Sequence, residues 1–278
     1  MQAFTNIRAL IIDMDGVLWH GTEPMAGLID FFDTLYKLNI RFILATNNAS
    51  LTPEQYVDKL AKMGVTVTQD QILTSGTATA LYLSKLVKPT ETRVFVIGVE
   101  GATQPLIELG FTLTDLYEVS NKDNNQKGAD IVVCGKDETL TWQKLATATL
   151  NIRAGAKFIG TNGDTTLPTE LGVTHGNGAI LAALEVATGV TPTIIGKPEP
   201  IIYQQALVLL NASPEETVAI GDRLETDILG AVRTGIRSIM VLTGISSEDD
   251  LKASDYQPTW VMPDIKAITH ALKNQTLS

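Results

Sequence analysis

Ala9-Leu10-Ile11-Ile12-Asp13-Met14-Asp15-Gly16 joins a continuous apolar run to two closely spaced carboxylates. Four apolar residues in succession suit a strand covered on both faces, as in a parallel sheet. The strand runs straight into two carboxylates, Asp13 and Asp15, at the carboxyl end where open α/β sheets bind ligands. Gly16 lets the chain turn sharply there. By itself the pair is a weak signal, because acidic residues after a strand commonly solvate a loop or cap a helix.

Outward from that strand the same pattern recurs. Arg41–Ala45, Thr217–Ile220 and Ser238–Leu242 are further apolar runs, each followed by turn residues and a helical pattern. Parallel strands joined by crossover helices follow, and the class is α/β. Thr52-Pro53-Glu54-Gln55 and Ser213-Pro214-Glu215-Glu216 each offer an N-cap hydroxyl, a proline and a capping-box partner, so both predict a helix start. Between them lies a second set of strands, Arg93–Ile97, Ala129–Cys134 and Ala156–Ile159, with a helical stretch over Thr141–Ala154. This is an inserted α/β domain, expected over residues 77–185, with the core supplied by residues 1–76 and 186–278.

Composition removes several classes of function. The chain has 278 residues, 44% of them hydrophobic, enough for a substantial core. No run approaches the roughly 20 apolar residues of a membrane-spanning helix, and the N-terminus lacks a basic region followed by a long apolar run. A cytoplasmic protein with no membrane partner is expected. The single cysteine, Cys134, sits in an apolar run and reads as a buried, inert thiol. A net charge of −10 without any basic block argues against nucleic acid as a partner. A small anionic substrate is compatible if a local site supplies positive charge.

Three more strand ends carry polar groups. Thr46-Asn47-Asn48 offers a hydroxyl, amides and backbone N–H groups able to cradle a phosphoryl oxygen, or else an ordinary Asn-rich turn. Lys197 stands between Gly196 and Pro198. Gly221-Asp222-Arg223-Leu224-Glu225-Thr226-Asp227 places two more carboxylates at a strand end, where N-capping is the bland explanation. Each feature has such an explanation; all of them falling on one expected sheet edge does not.

In order, DMDGVLW, ATNN, GKP and GDRLETD resemble the four motifs of the haloacid dehalogenase superfamily, with an insertion between the second and third. The placement of that insertion, with Gly160–Asp164 and Gly176–Ala179, resembles the NagD and p-nitrophenylphosphatase subfamily. The resemblance implies a Rossmann-like core with a parallel sheet and a large α/β cap. It implies Mg²⁺-dependent hydrolysis of a small phosphate monoester through an aspartyl-phosphate intermediate.

Carried onto this chain, the resemblance makes Asp13 the nucleophile and Asp15 the acid and base. Thr46, Asn47, Asn48 and Lys197 become phosphate ligands. The Asp13 and Asp222 side chains and the Asp15 carbonyl hold the metal, and Asp227 supports them. Four clustered carboxylates would repel one another and a phosphate dianion unless a hard, oxygen-seeking cation sat among them. Asp15, absent from the dehalogenating branch, makes phosphatase the expected activity.

Substrate selection is expected in the cap, around Asn162, Asp164 and His175. In subfamily members a proline often stands before the glycine at the His175 position. His20 and His270 receive no role. The expected partner is a small phosphorylated metabolite, and the resemblance suggests self-association through the caps. A phosphotransferase of the same superfamily and a non-catalytic Rossmann-like binding protein are the competing readings; no G-x-G-x-x-G opens the first helix.

Overall fold

The computed structural model describes residues 4–120, 127–169 and 171–274. The chain divides into two compact units, one of residues 1–46, 53–73 and 197–278 and the other of residues 47–52 and 74–196.

A six-stranded sheet organises the first unit, in the order Trp260–Met262, Arg237–Val241, Thr217–Gly221, Ala9–Ile12, Arg41–Thr46, Ile72–Thr74. Ala9–Ile12 is central and pairs in parallel with Thr217–Ile220 on one side and Arg41–Leu44 on the other. All four of its residues are buried, as a continuous apolar run requires. Helix Leu28–Lys37 buries Leu28, Phe31, Phe32 and Leu35, the i, i+3, i+4, i+7 positions of one face. Helix Ile265–Lys273 buries Ile265, Ile268 and Leu272 in the same way. Its N-cap is Asp264, whose side chain accepts the Ala267 N–H at 2.9 Å, a bond worth about 1 kcal/mol.

In the second unit a five-stranded parallel sheet runs Thr193–Ile194, Lys157–Gly160, Ile131–Cys134, Arg93–Ile97, Thr112–Leu113. Phe95, Ile97, Val132, Cys134, Ile152, Phe158, Leu181 and Leu184 form its core. Thr74 caps helix Ser75–Leu86 and Thr141 caps helix Trp142–Arg153, each hydroxyl accepting a backbone N–H three residues on. Cys134 is fully buried on the central strand, and burial pushes its thiol up to about 12.

Several expectations shift. The second unit runs from 74 to 196 rather than from 77 to 185, and it includes loop 47–52. Gly101 explains the loop: a Cβ there would lie 2.5 Å from Leu51 O and 2.6 Å from Ala49 O, so only glycine lets helix Glu100–Glu108 approach this closely. Thr52 does precede a helix, Pro53–Lys62. Ser213 does not: its capping box with Glu216 closes only a 3₁₀ turn, Pro214–Glu216, because strand Thr217–Gly221 begins at once. Two hairpins lie outside the predicted elements, Trp19–His20 with Glu23–Pro24 and Thr166–Thr169 with Gly172–His175. Among the described residues no helix is long and apolar enough to cross a membrane.

Candidate active site

Strand ends of the first unit converge on one ion-pair cluster. Asp13 leaves strand Ala9–Ile12, its N–H still donating to Ile220 O at 2.8 Å. Lys197 Nζ donates to Asp13 Oδ1 at 2.5 Å, to Asp227 Oδ1 at 2.6 Å and to Ala45 O at 3.1 Å. The lysine is 4% exposed. A buried ammonium with three donors, facing two carboxylates and a carbonyl, is fully occupied.

Asp227 owes its position to a widened turn. Residues Leu224–Ile228 wind in the i→i+5 manner before helix Leu229–Thr234 begins, a local widening that recurs at functional sites. The turn carries Asp227 inward, where its Oδ2 accepts the Arg223 N–H at 3.1 Å. Gly221 makes room for it, since a Cβ there would fall 2.1 Å from Asp227 Cβ. Tyr203, itself buried, donates its hydroxyl to Asp227 O at 2.8 Å.

Asp222 is held between two glycines. A Cβ on Gly16 or Gly244 would come within 2.6 or 1.9 Å of its Oδ2, and the Ile245 N–H donates to that oxygen at 2.7 Å. Gly16 adopts φ +81, a left-handed conformation that makes the sharp turn expected there. Asp13, Asp222 and Asp227 each offer a carboxylate oxygen, all within 4.8 Å of one another.

Burial and the crowding of carboxylates set the charges. Burial raises Asp13 well above the usual carboxylate range, opposed by Lys197 and reinforced by Asp227 and Asp222. Burial and Asp227 push Asp222 up to about 6. Burial works against the charge of Lys197, but Asp13 and Asp227 outweigh it and hold the ammonium well above its ordinary value. Lys197 therefore stays protonated and ion-pairs with Asp13 and Asp227, while Lys197 and Arg223 only partly offset the crowding at Asp222. A second, hard cation would relieve that deficit, and an all-oxygen donor set suits Mg²⁺.

The remaining predicted residues fall in different places. Asp15 is exposed and accepts the Trp19 Nε1–H on Oδ1 at 2.7 Å. Thr46 ends its strand in the first unit, buried. Asn47 and Asn48 belong to the second unit, where the Asn47 carbonyl accepts from Ser75 Oγ at 2.6 Å and Asn162 Nδ2 at 2.9 Å. The Asn47 amide donates to both oxygens of Asp164. Asn48 Oδ1 accepts the Ser50 N–H at 2.8 Å, the turn role weighed for it. His175 and His20 are themselves exposed, each on one of the two hairpins. His270 lies exposed on helix Ile265–Lys273.

Trp19, Tyr203 and the Gly244-Ile245 loop escaped the sequence reading. Trp19 lies inside the quoted DMDGVLW and Gly244 just after a recognised strand, so position alone pointed to both. A backbone N–H donor such as that of Ile245 has no residue-type signature.

This fold and cluster define an α/β protein built on a parallel sheet with carboxylates at its strand ends. The family model described as haloacid dehalogenase-like hydrolase matches residues 10–112, and a HAD-hydrolase-like model matches 194–268. An acid sugar phosphatase of Staphylococcus haemolyticus is 37% identical, over 97% of this chain and 98% of its own. A 4-nitrophenylphosphatase of Thermotoga maritima superposes with a TM-score of 0.87 at 33% identity, covering 98% of this chain and 100% of that one. A hypothetical protein of Pyrococcus horikoshii OT3 gives a TM-score of 0.87 at 44% identity, covering 95% and 99%. The chain belongs to the haloacid dehalogenase-like hydrolases, as a NagD-like phosphatase.

Proposed function

We propose that this phosphatase is Mg²⁺-dependent and hydrolyses small phosphate monoesters through an aspartyl phosphate on Asp13. The observation that carries the proposal is Lys197 Nζ bridging Asp13 and Asp227 at 2.5 and 2.6 Å, with the Asp222 carboxylate in the same cluster. Asp13, Asp222 and the Asp15 carbonyl would hold Mg²⁺, with Asp227 supporting them. When bound, the ion would act as a Lewis acid toward phosphoryl oxygens.

The chain's own residues do the rest. Asp13 attacks phosphorus in line, while Lys197 offsets charge on the transferring group. Asp15 protonates the departing alkoxide and then takes a proton from the water that hydrolyses the acyl phosphate. Thr46, Asn47 and Asn48 orient the phosphoryl group by hydrogen bonds. Asn162, Asp164 and His175 bear on the leaving group. Because the curated relatives are acid sugar phosphatases, sugar phosphates are the substrate class to test first. Self-association through the second unit is part of the same proposal.

Rapid mixing of Asp15→Asn tests this scheme. The nitrophenolate of p-nitrophenyl phosphate leaves without an acid, so a near-stoichiometric burst should precede slow turnover. An alkyl phosphate should give no comparable burst. Equal bursts from both substrates, or rapid steady turnover with either, would overturn the assignment of Asp15. A phosphotransferase would show itself by transfer to an added alcohol without release of free phosphate.

A further inference from the structure

We infer that Trp19 is a positioning residue: its indole N–H fixes the Asp15 carboxylate so that Oδ2 is the oxygen that gives and takes the proton. The inference rests on the reading of Asp15 as acid and base.

Asp15 is exposed, and an exposed carboxylate ordinarily samples several rotamers. Here the chain folds a donor back onto it. Gly16, at φ +81, turns the backbone, and its N–H donates to Trp19 O at 2.9 Å. The Val17 and Leu18 N–H groups both donate to Met14 O, at 3.2 and 2.8 Å, and the Thr243 hydroxyl donates to Gly16 O at 2.6 Å. This knot returns Trp19 to Asp15 four residues on, with Nε1 2.7 Å from Oδ1.

The indole itself cannot wander. Trp19 is fully buried, stacked on Tyr56 at 6.3 Å between centroids with planes 22° apart. Lys59 Nζ lies over the ring, 4.1 Å from its centroid. Both come from helix Pro53–Lys62, so a rigid element holds the donor. Indole N–H donates only; it neither accepts the catalytic proton nor competes for it. With Oδ1 engaged, Oδ2 remains for proton transfer. Aiming matters because a displacement of about 1 Å at a reacting group can cost about a hundredfold in rate.

Trp19→Phe keeps the ring and deletes the donor. With p-nitrophenyl phosphate the variant should keep its nitrophenolate burst, while dephosphorylation slows by about 10- to 100-fold, the worth of one hydrogen bond to a charged group. With an alkyl phosphate the first step should slow. In the Asp15→Asn background the same substitution should change either rate by less than about twofold, since non-additivity marks residues acting through one another. Tyr56→Leu, which leaves the donor in place but removes the ring stacked on the indole, should give a smaller loss of about two- to fivefold that also vanishes beside Asp15→Asn.

An Asp15→Asn variant with full activity would remove the acid–base reading itself. Impaired Asp15→Asn with an unimpaired Trp19→Phe, or a Trp19→Phe loss of equal size in both backgrounds, would overturn the positioning role alone. A faster Trp19→Phe would also overturn it, since the bond would then restrain Asp15 away from its task. Should Trp19→Phe not fold, the Tyr56→Leu cycle decides: a loss that persists beside Asp15→Asn is the refuting result.

Discussion

Asn47 Nδ2 stands 3.3 and 3.2 Å from the two carboxylate oxygens of Asp164. One residue was selected from the sequence for phosphate binding and the other for specificity, and they are hydrogen-bonded partners within the second unit. Asp164 therefore orients the Asn47 amide, and in the proposed scheme the same carboxylate bears on the leaving group. Asn47→Ala and Asp164→Ala should each lower kcat/KM about tenfold for any phosphate monoester, p-nitrophenyl phosphate included. The double variant should lose little more than either single one. Losses that multiply would separate the two residues.

Asp13→Asn should cut turnover by at least about a thousandfold, because the amide is nearly isosteric but is no nucleophile. The fold should persist, since Lys197 keeps Asp227 and the Ala45 carbonyl as acceptors. Phosphate release and circular dichroism check the two halves of this outcome.

Lys197→Met should be inactive and less stable by about 3 kcal/mol, because it leaves buried carboxylates without their cation. Urea denaturation measures the loss. Adding Mg²⁺ should restore part of it through preferential binding to the folded state. A denaturation midpoint equal to that of the parent protein would contradict the buried ion-pair reading.

Asp222 fixes the direction of a pH effect. Its folded-state value, raised to about 6 by burial and by Asp227, lies above the roughly 4 of an unfolded aspartate. The folded, metal-free protein then holds the extra proton between those values. This contribution to stability is full below about pH 4 and is lost as pH rises through about 6. Thermal midpoints in chelator should show that fall, and Asp222→Asn should flatten it. Magnesium binding near pH 6 should release protons and weaken as pH falls, and Asp222→Asn should weaken it by at least about tenfold at pH 7. Calorimetry in buffers of different ionisation enthalpy reads the proton count.

How far the sequence reveals this molecule depends on the kind of interaction. Asp13 and Asp222 follow continuous apolar strands that can only be buried, so the residues at their ends were legible as a cluster. Lys197 was legible through its motif, although its contacts lie 184 and 30 residues away in the chain. Ser213 misled because a capping box fits a single 3₁₀ turn as well as a helix. Loop 47–52 was placed with the core because its tie to Gly101 is tertiary. The hairpin Thr166–Thr169 with Gly172–His175 went unseen because exposure of its second strand removes the alternation that marks a strand.

Cys134 gives the protein an internal clock. Its sulfur sits at the middle of the second unit's sheet, and so high a pKa leaves almost no thiolate to react with an alkylating reagent. Modification must wait for that sheet to open. Trp19 and Trp260 are buried in the other unit, while Trp142 is 84% exposed and so contributes little change on unfolding. Thiol trapping and tryptophan emission should therefore time the melting of the two units separately in the unmodified chain. Identical rate constants across urea concentrations would mean that the units unfold as one cooperative block.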